Sequence, residues 1–292
     1  MIEATGLTKR LGGRAVVSDV SFRCEPGTVT GFLGPNGAGK TTTMRLLVGL
    51  STPEAGTSAV LERPYQKLEN PGRRVGVLLD AGAQHPGRRG REALAVSAQT
   101  MGVSATRVDE LLDLVGLDKS AARKRVRQYS LGMRQRLGLA QALLGEPEVL
   151  ILDEPANGLD PEGIRWMRGL LRDFADRGGT VLLSSHLLAE VEAVADRLLI
   201  IGNGRIVADG SREELLAGAG VHVRGTDIEA LASALREAAL EFTALDGGFV
   251  VDAEAEAVGA AALAGGVVLT RLAPSESAGL EQLFFDLTDG AA

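Results

Sequence analysis

Eight consecutive residues, Gly34-Pro35-Asn36-Gly37-Ala38-Gly39-Lys40-Thr41, meet the pattern of a glycine, four residues, then Gly-Lys-Thr. Each residue type has a chemical reason. Glycines let the backbone curl until successive N–H groups converge on phosphate oxygens, a lysine ammonium reaches the β and γ phosphates, and a threonine hydroxyl offers a hard oxygen to Mg²⁺. A helix following at once, from Thr42, would add the partial positive charge of its N-terminus. The run therefore implies a site for a nucleoside triphosphate with Mg²⁺.

A second source of chemistry is Val149-Leu150-Ile151-Leu152-Asp153-Glu154, an apolar run ending in two carboxylates. Such a run suits a parallel strand buried on both faces, and α/β sheets place ligands at strand ends. Asp153 would hold Mg²⁺ directly or through water, and Glu154 would polarise the water that attacks the γ-phosphate. Three shorter features stand nearby: Tyr129-Ser130-Leu131-Gly132-Met133-Arg134-Gln135-Arg136, the turn Ala156-Asn157-Gly158-Leu159-Asp160, and Ser184-Ser185-His186. Taken alone, these are a capped helix start, a polar turn and a lone histidine.

The elements that must hold these residues follow from periodicity and punctuation. Thr28 to Leu33 predicts a buried strand feeding the glycine-rich loop, and Thr42 to Leu50 predicts a helix ending at Gly49. Ser130 predicts the N-cap of a helix running to about Gly145. Thr180 to Leu183 is an apolar strand ending beside His186. The dipeptide Asn203-Gly204 between Leu198–Ile201 and Arg205–Ala208 predicts a hairpin, and Arg212 to Ala217 a short helix.

In this order, over roughly residues 2 to 216, the motifs resemble those of the ATP-binding cassette (ABC) ATPases. The phosphate loop and the Asp153-Glu154 strand match the Walker A and B motifs. Tyr129 to Met133 matches the signature, with Leu131 and Met133 departing from the usual pattern. Ala156 to Asp160 matches the D-loop, and His186 the switch histidine. The resemblance implies an α/β P-loop NTPase fold: a mostly parallel sheet core, an antiparallel β subdomain, and a helical subdomain at about residues 81–145. It implies ATP bound with Mg²⁺ by Gly34 to Thr42. It also implies that Ser130 and Gly132 contact the γ-phosphate held by a second copy, that His186 senses that phosphate, and that Lys40, Glu154 and His186 act in hydrolysis. Metal ligands would be Thr41, Asp153 and Asp80, the last standing where the family has a glutamine; Gln84 is close enough to serve instead. Leu11 stands where the family stacks an aromatic ring on adenine.

The subfamily resembled is that of bacterial drug-resistance exporters. It implies a homodimer formed on ATP binding, a separate integral membrane permease, and a cytoplasmic position on the inner face of the membrane. A non-transport ABC ATPase acting on nucleic acid or the ribosome is the other reading. It fits less well, because neither a coiled coil between the Walker motifs nor a second cassette is present, and an acidic chain with 3% aromatics is a poor nucleic-acid binder.

Charge is distributed unevenly. Residues 71 to 136 carry 13 Lys and Arg against 6 Asp and Glu within a chain of net charge −7. Arg88, Arg89, Arg91, Arg123, Lys124, Arg125 and Arg127 there could face an anionic leaflet, worth about 1 kcal/mol each at its surface. Residues 221 to 292 hold 3 Arg, no Lys and 12 acids. Their pattern predicts strands at 221–224, 241–246, 248–252 and 267–272 and helices at 227–239, 254–264 and 278–288. That order suits a split βαβ sandwich of ferredoxin-like type. The expected division is residues 1–216 for the ATPase domain and 217–292 for a small acidic α+β domain ending in Leu280 to Leu287. The only cysteine, Cys24, predicts an inert core thiol, and no apolar run reaches membrane-spanning length.

Overall fold

The computed structural model describes residues 1–211, 214–215, 220–245 and 247–274. Two compact units part between Asp209 and Gly210. The predicted helices at Arg212–Ala217 and 278–288, with the ending Leu280 to Leu287, lie wholly or partly outside the described residues.

In the first unit, β1 (Ile2–Leu11), β2 (Arg14–Cys24) and β4 (Ala55–Val60) form an antiparallel sheet with β1 in the middle. The second sheet has six strands in the order β5 (Val75–Leu78), β6 (Val149–Leu152), β7 (Thr180–Ser185), β3 (Val29–Leu33), β8 (Arg197–Gly202) and β9 (Arg205–Gly210). The pairs from β5 through β8 are parallel. Every residue of β3, β6 and β7 is buried, the expected signature of strands covered on both faces. Asn203 and Gly204, at φ 45° and 79°, make the tight turn from β8 to β9. Phe32, Ile151, Leu182 and Leu199 from this sheet share one core with Ile2, Leu7 and Phe22 of the first.

Helices Gly90–Met101, Ala105–Leu114, Lys119–Arg123 and Leu131–Ala142 occupy the stretch between β5 and β6. Asp118 caps the third and Ser130 the fourth, each accepting a backbone N–H three residues on. The last helix stops at Ala142, three residues short of the predicted end. There Gly145 must pass so close to Gly72 that a β-carbon would lie 2.3 Å from its carbonyl.

The second unit runs β10 (Val221–Gly225), helix Ile228–Glu237, β11 (Phe242–Leu245), β12 (Gly248–Val251), helix Ala255–Ala264 and β13 (Leu269–Pro274). Its antiparallel sheet has the order β11-β12-β10-β13, the arrangement of a split βαβ sandwich. Val221, Val223, Phe249 and Val251 pack with Leu231, Leu235 and Val258 of the two helices, so one face of the sheet is the core face.

Candidate functional site

Strand β3 delivers the chain to the phosphate loop at the C-terminal edge of the parallel sheet. The helix after the loop is Lys40–Leu47, beginning two residues earlier than predicted and ending before Gly49. It begins there because Gly39, at φ 111°, turns the backbone into the helix. Its missing β-carbon would stand 2.4 Å from the Val16 carbonyl, so only glycine fits. Lys40 is 6% exposed, and its Nζ donates to the carbonyls of Gly34 (2.5 Å) and Pro35 (3.3 Å). Burial lowers the Lys40 pKa, while the Glu154 and Asp153 carboxylates oppose that shift. A cleft of about 280 Å³ opens here, lined by Pro35, Asn36, Gly37, Gly39, Lys40, Thr41, Thr42, Glu154 and Val16. Such a rim of backbone and one ammonium fits a polyphosphate.

The acids arrive from β6. Thr41 Oγ1 donates to Asp153 Oδ2 at 2.5 Å, and the Ser184 hydroxyl at the end of β7 donates to Asp153 Oδ1. One hydroxyl and one carboxylate meeting at a phosphate loop are hard oxygen donors of the kind Mg²⁺ takes when phosphates and water supply the rest. Among the described residues no cluster of three or more His, Cys, Asp or Glu stands ready to hold a metal by itself. Glu154 Oε1 is 3.7 Å from Lys40 Nζ, and its Oε2 is 2.8 Å from His186 Nδ1. Glu154 is therefore held between the phosphate-loop lysine and the histidine beyond β7.

The backbone of Glu154 is equally constrained. At φ 49° it occupies the left-handed region, costly for a residue with a β-carbon. Its N–H donates to Ser184 Oγ at 3.0 Å, and its carbonyl accepts from Gln135 Nε2 at 2.7 Å. Gln135, 3% exposed on the helix that Ser130 caps, stands in the 129–136 run but carried no assigned role there, because nothing in the sequence reports its burial.

Ser130 Oγ accepts from Met133 N at 3.2 Å, and Gly132 leaves no room for a side chain, since a β-carbon would lie 2.6 Å from the Gly158 carbonyl. The turn 156–160 thus packs directly on the start of the 131–142 helix. Leu131, 48% exposed, lies over Gly158. Asp160 caps the next helix, Pro161–Asp176, by accepting from Gly163 N. Asp80 lines a second cleft with Gln135, Asp153, Glu154 and Asn157, and its Oδ1 accepts from Gly82 N at 2.6 Å. Gln84 is not part of that lining; its amide bonds to the side chain of Gln141. Thr41 is likewise absent from the Asp80 cleft, so Asp80 shares a cleft with the acids but not with the threonine.

Residues 17–157 match the ABC transporter family. The bacitracin transport ATP-binding protein BcrA of Bacillus licheniformis is 41% identical over 212 residues, covering 72% of this chain and 69% of BcrA. The chain belongs to the ABC transporter family, as one of its ATP-binding subunits. The Nod factor export ATP-binding protein I of Paraburkholderia xenovorans is also 41% identical, over 74% of this chain and 72% of that protein. A solved ATP-binding subunit of an ABC transporter superposes with a TM-score of 0.67 at 28% identity, over 74% of this chain and 91% of that one. The dimeric bacterial cassette MJ0796 shares the fold with the same score at 20% identity, over 72% and 98% of the two chains.

Among the described residues, the phosphate-loop cleft of this ABC subunit is lined by Val16 and by no aromatic ring. Leu11 is 53% exposed at the β1–β2 turn and does not line the cleft, whereas Val16 does. Val16 was missed because its place at the cleft depends on β2 passing beside Gly39 and Gly204. Among the described residues, no helix is long and apolar enough to cross a membrane.

Proposed function

We propose that this subunit binds and hydrolyses MgATP as a homodimer and couples that cycle to export through a separate integral membrane permease. Gly34 to Thr42 bind the triphosphate, with the Lys40 ammonium directed at its terminal phosphates. Mg²⁺, held by Thr41 and Asp153, with Asp80 nearby, neutralises charge on the phosphate oxygens. Glu154 orients and deprotonates the attacking water, and His186 positions Glu154 and meets the γ-phosphate. In a head-to-tail pair, Ser130 and Gly132 of one copy close over the phosphate loop of the other. The dimeric state of MJ0796 supports this arrangement, and the names of BcrA and the Nod factor export protein support export. Nucleic acid has no place in this cycle.

We assign residues 1–216 to the ATPase domain, with its helical subdomain at about 81–145, and 217–292 to the acidic α+β domain. The parting of two compact units at Asp209 supports that boundary. Membrane attachment from the cytoplasmic side is supported by a basic patch within the helical part. Segments 86–90 and 124–127 pair, with Arg89 bridged to Arg125, Val126 N donating to Arg88 O and Arg127 N to Pro86 O. Exposed Arg88, Arg89, Arg123, Lys124, Arg125 and Arg127 are thereby concentrated, and among the described residues the one ion pair they make is Arg89 with Glu92 at 3.9 Å.

The observation that carries the reading is Glu154 held between Lys40 and His186. Glu154→Gln should keep ATP binding, abolish turnover and accumulate an ATP-bound dimer on size exclusion. Hydrolysis at the wild-type rate would remove Glu154 from its role.

A further inference from the structure

A cavity of about 480 Å³, larger than either cleft at the nucleotide site, opens at the opposite edge of the parallel sheet. Pro26 on its lining precedes β3, Glu148 immediately precedes β6, and Thr180 begins β7. The other ends of these strands lead to the phosphate loop, to Asp153-Glu154 and to His186. No residue of its lining belongs to the phosphate-loop or Asp80 clefts. Pockets for small organic ligands span about 300–1,000 Å³, so the space is of ligand size.

The walls are fixed by bonds between distant segments. Gly27 N donates to Gly179 O at 2.9 Å and Thr180 N to Glu148 O at 3.0 Å. The Phe174 ring lies against Gly179, where a β-carbon would stand 2.2 Å from it. Leu61 and Glu146 hold left-handed backbones, at φ 54° and 56°, which residues with a β-carbon keep only where their surroundings over-determine them. Pro26, Leu61, Leu143, Pro147 and Phe174 supply apolar surface. Four charged side chains also line the cavity, and three of them are engaged. Glu148 pairs with Arg74 at 2.7 Å, and Arg107 lies 3.3 Å from Glu110 and 3.9 Å from Glu146. Arg177, exposed just after helix Pro161–Asp176, is in no ion pair among the described residues. An apolar enclosure with one free guanidinium fits an apolar molecule carrying one anionic group.

We propose that this cavity binds a small amphipathic carboxylate, with its carboxylate on Arg177 and its apolar body against Leu61, Leu143 and Phe174. The planar guanidinium fork suits bidentate recognition of a carboxylate. The site is separate from that of the nucleotide, so both can be occupied in one chain.

The test uses the full chain with its phosphate loop saturated by a non-hydrolysable ATP analogue and Mg²⁺. 1-Naphthoate and, separately, octanoate are titrated by calorimetry, with 1-naphthalenemethanol and 1-octanol as their uncharged counterparts. The expected result is saturable one-site binding of at least one acid, about tenfold tighter than its alcohol. Binding of naphthoate alone assigns a ring-shaped body, and binding of octanoate alone a chain. Arg177→Gln should weaken the acid about tenfold and leave the alcohol unchanged. Leu61→Asn, at a backbone angle that asparagine adopts readily, should weaken both about fivefold through lost apolar contact. Arg165→Gln, at an exposed arginine of the same helix outside the cavity, should bind like wild type. Absence of saturable binding by both acids, alcohols that bind as tightly as the acids, an unchanged acid affinity in Arg177→Gln, or an equal loss in Arg165→Gln overturns the proposal.

Discussion

Gln135 Nε2 donates to the carbonyl of Glu154 at 2.7 Å, tying the helix that carries Ser130 and Gly132 to the end of β6. With Ser184 Oγ accepting from the Glu154 N–H, that bond clamps a residue whose left-handed backbone is intrinsically unfavourable. Removing the amide leaves a half-buried carbonyl without its donor, a cost of about 1–3 kcal/mol. Gln135→Leu should therefore lower kcat about tenfold or more while the KM for ATP stays within about twofold, because ground-state phosphate contacts are untouched. A rise in KM with kcat intact would place Gln135 in nucleotide binding instead.

His186 bears on the same carboxylate from the other side, 2.8 Å from Glu154 Oε2. Its ring is 42% exposed and Glu154 24%, so the pair contributes little to stability and its loss should be a kinetic event. His186→Ala should cut single-turnover hydrolysis by about a hundredfold, the scale for losing one group that acts on transition-state charge. The melting temperature should change little. A large fall in melting temperature with turnover preserved would make His186 structural.

Most of the site was readable before any coordinates, for a physical reason. The phosphate loop is a local object: its glycines, lysine and threonine work within one turn of chain, and the apolar runs at 149–152 and 180–185 need no partner to be recognised as buried strands. Contacts between segments distant in sequence were not readable. The Gln135–Glu154 bond joins residues 19 apart, and the approach of Gly132 to Gly158 depends on how a helix start meets a turn. That the Gln84 amide bonds to Gln141, 57 residues on, was likewise not readable from the chain. Helix ends moved by two or three residues because Gly39 and Gly145 act through backbone angle and close approach, which composition does not report.

Cys24 gives a prediction at alkaline pH. Complete burial pushes its thiol up to about 12, against an ordinary value near 8.5 in the unfolded chain. A raised acid pKa means the stabilising contribution is fully present below about pH 8.5 and is lost as pH rises towards the folded value. Between those limits the unfolded chain ionises while the folded one does not. Wild-type unfolding free energy should then fall relative to Cys24→Ala by about 1.4 kcal/mol per pH unit. Urea titrations of both proteins from about pH 8 to pH 11 measure the difference, which cancels the lysines and tyrosines that titrate in both. Parallel curves would mean that the thiol reaches solvent in the folded state.

The basic patch makes a claim about surfaces. Exposed Arg88, Lys124 and Arg125 sit on two segments joined by backbone hydrogen bonds, so charge reversal there disturbs no core packing. If the patch meets an anionic leaflet, each cation contributes about 1 kcal/mol at low salt, and the attraction is screened as the Debye length shrinks from about 10 Å at 0.1 M to about 3 Å at 1 M. The wild-type chain should sediment with vesicles containing phosphatidylglycerol, but not with phosphatidylcholine alone, and should be released by high salt. Arg88→Glu, Lys124→Glu and Arg125→Glu combined should abolish sedimentation while ATP hydrolysis in solution continues, since none of the three lines the phosphate-loop or Asp80 clefts. Vesicle binding by the triple variant equal to wild type would leave the patch without a leaflet to face.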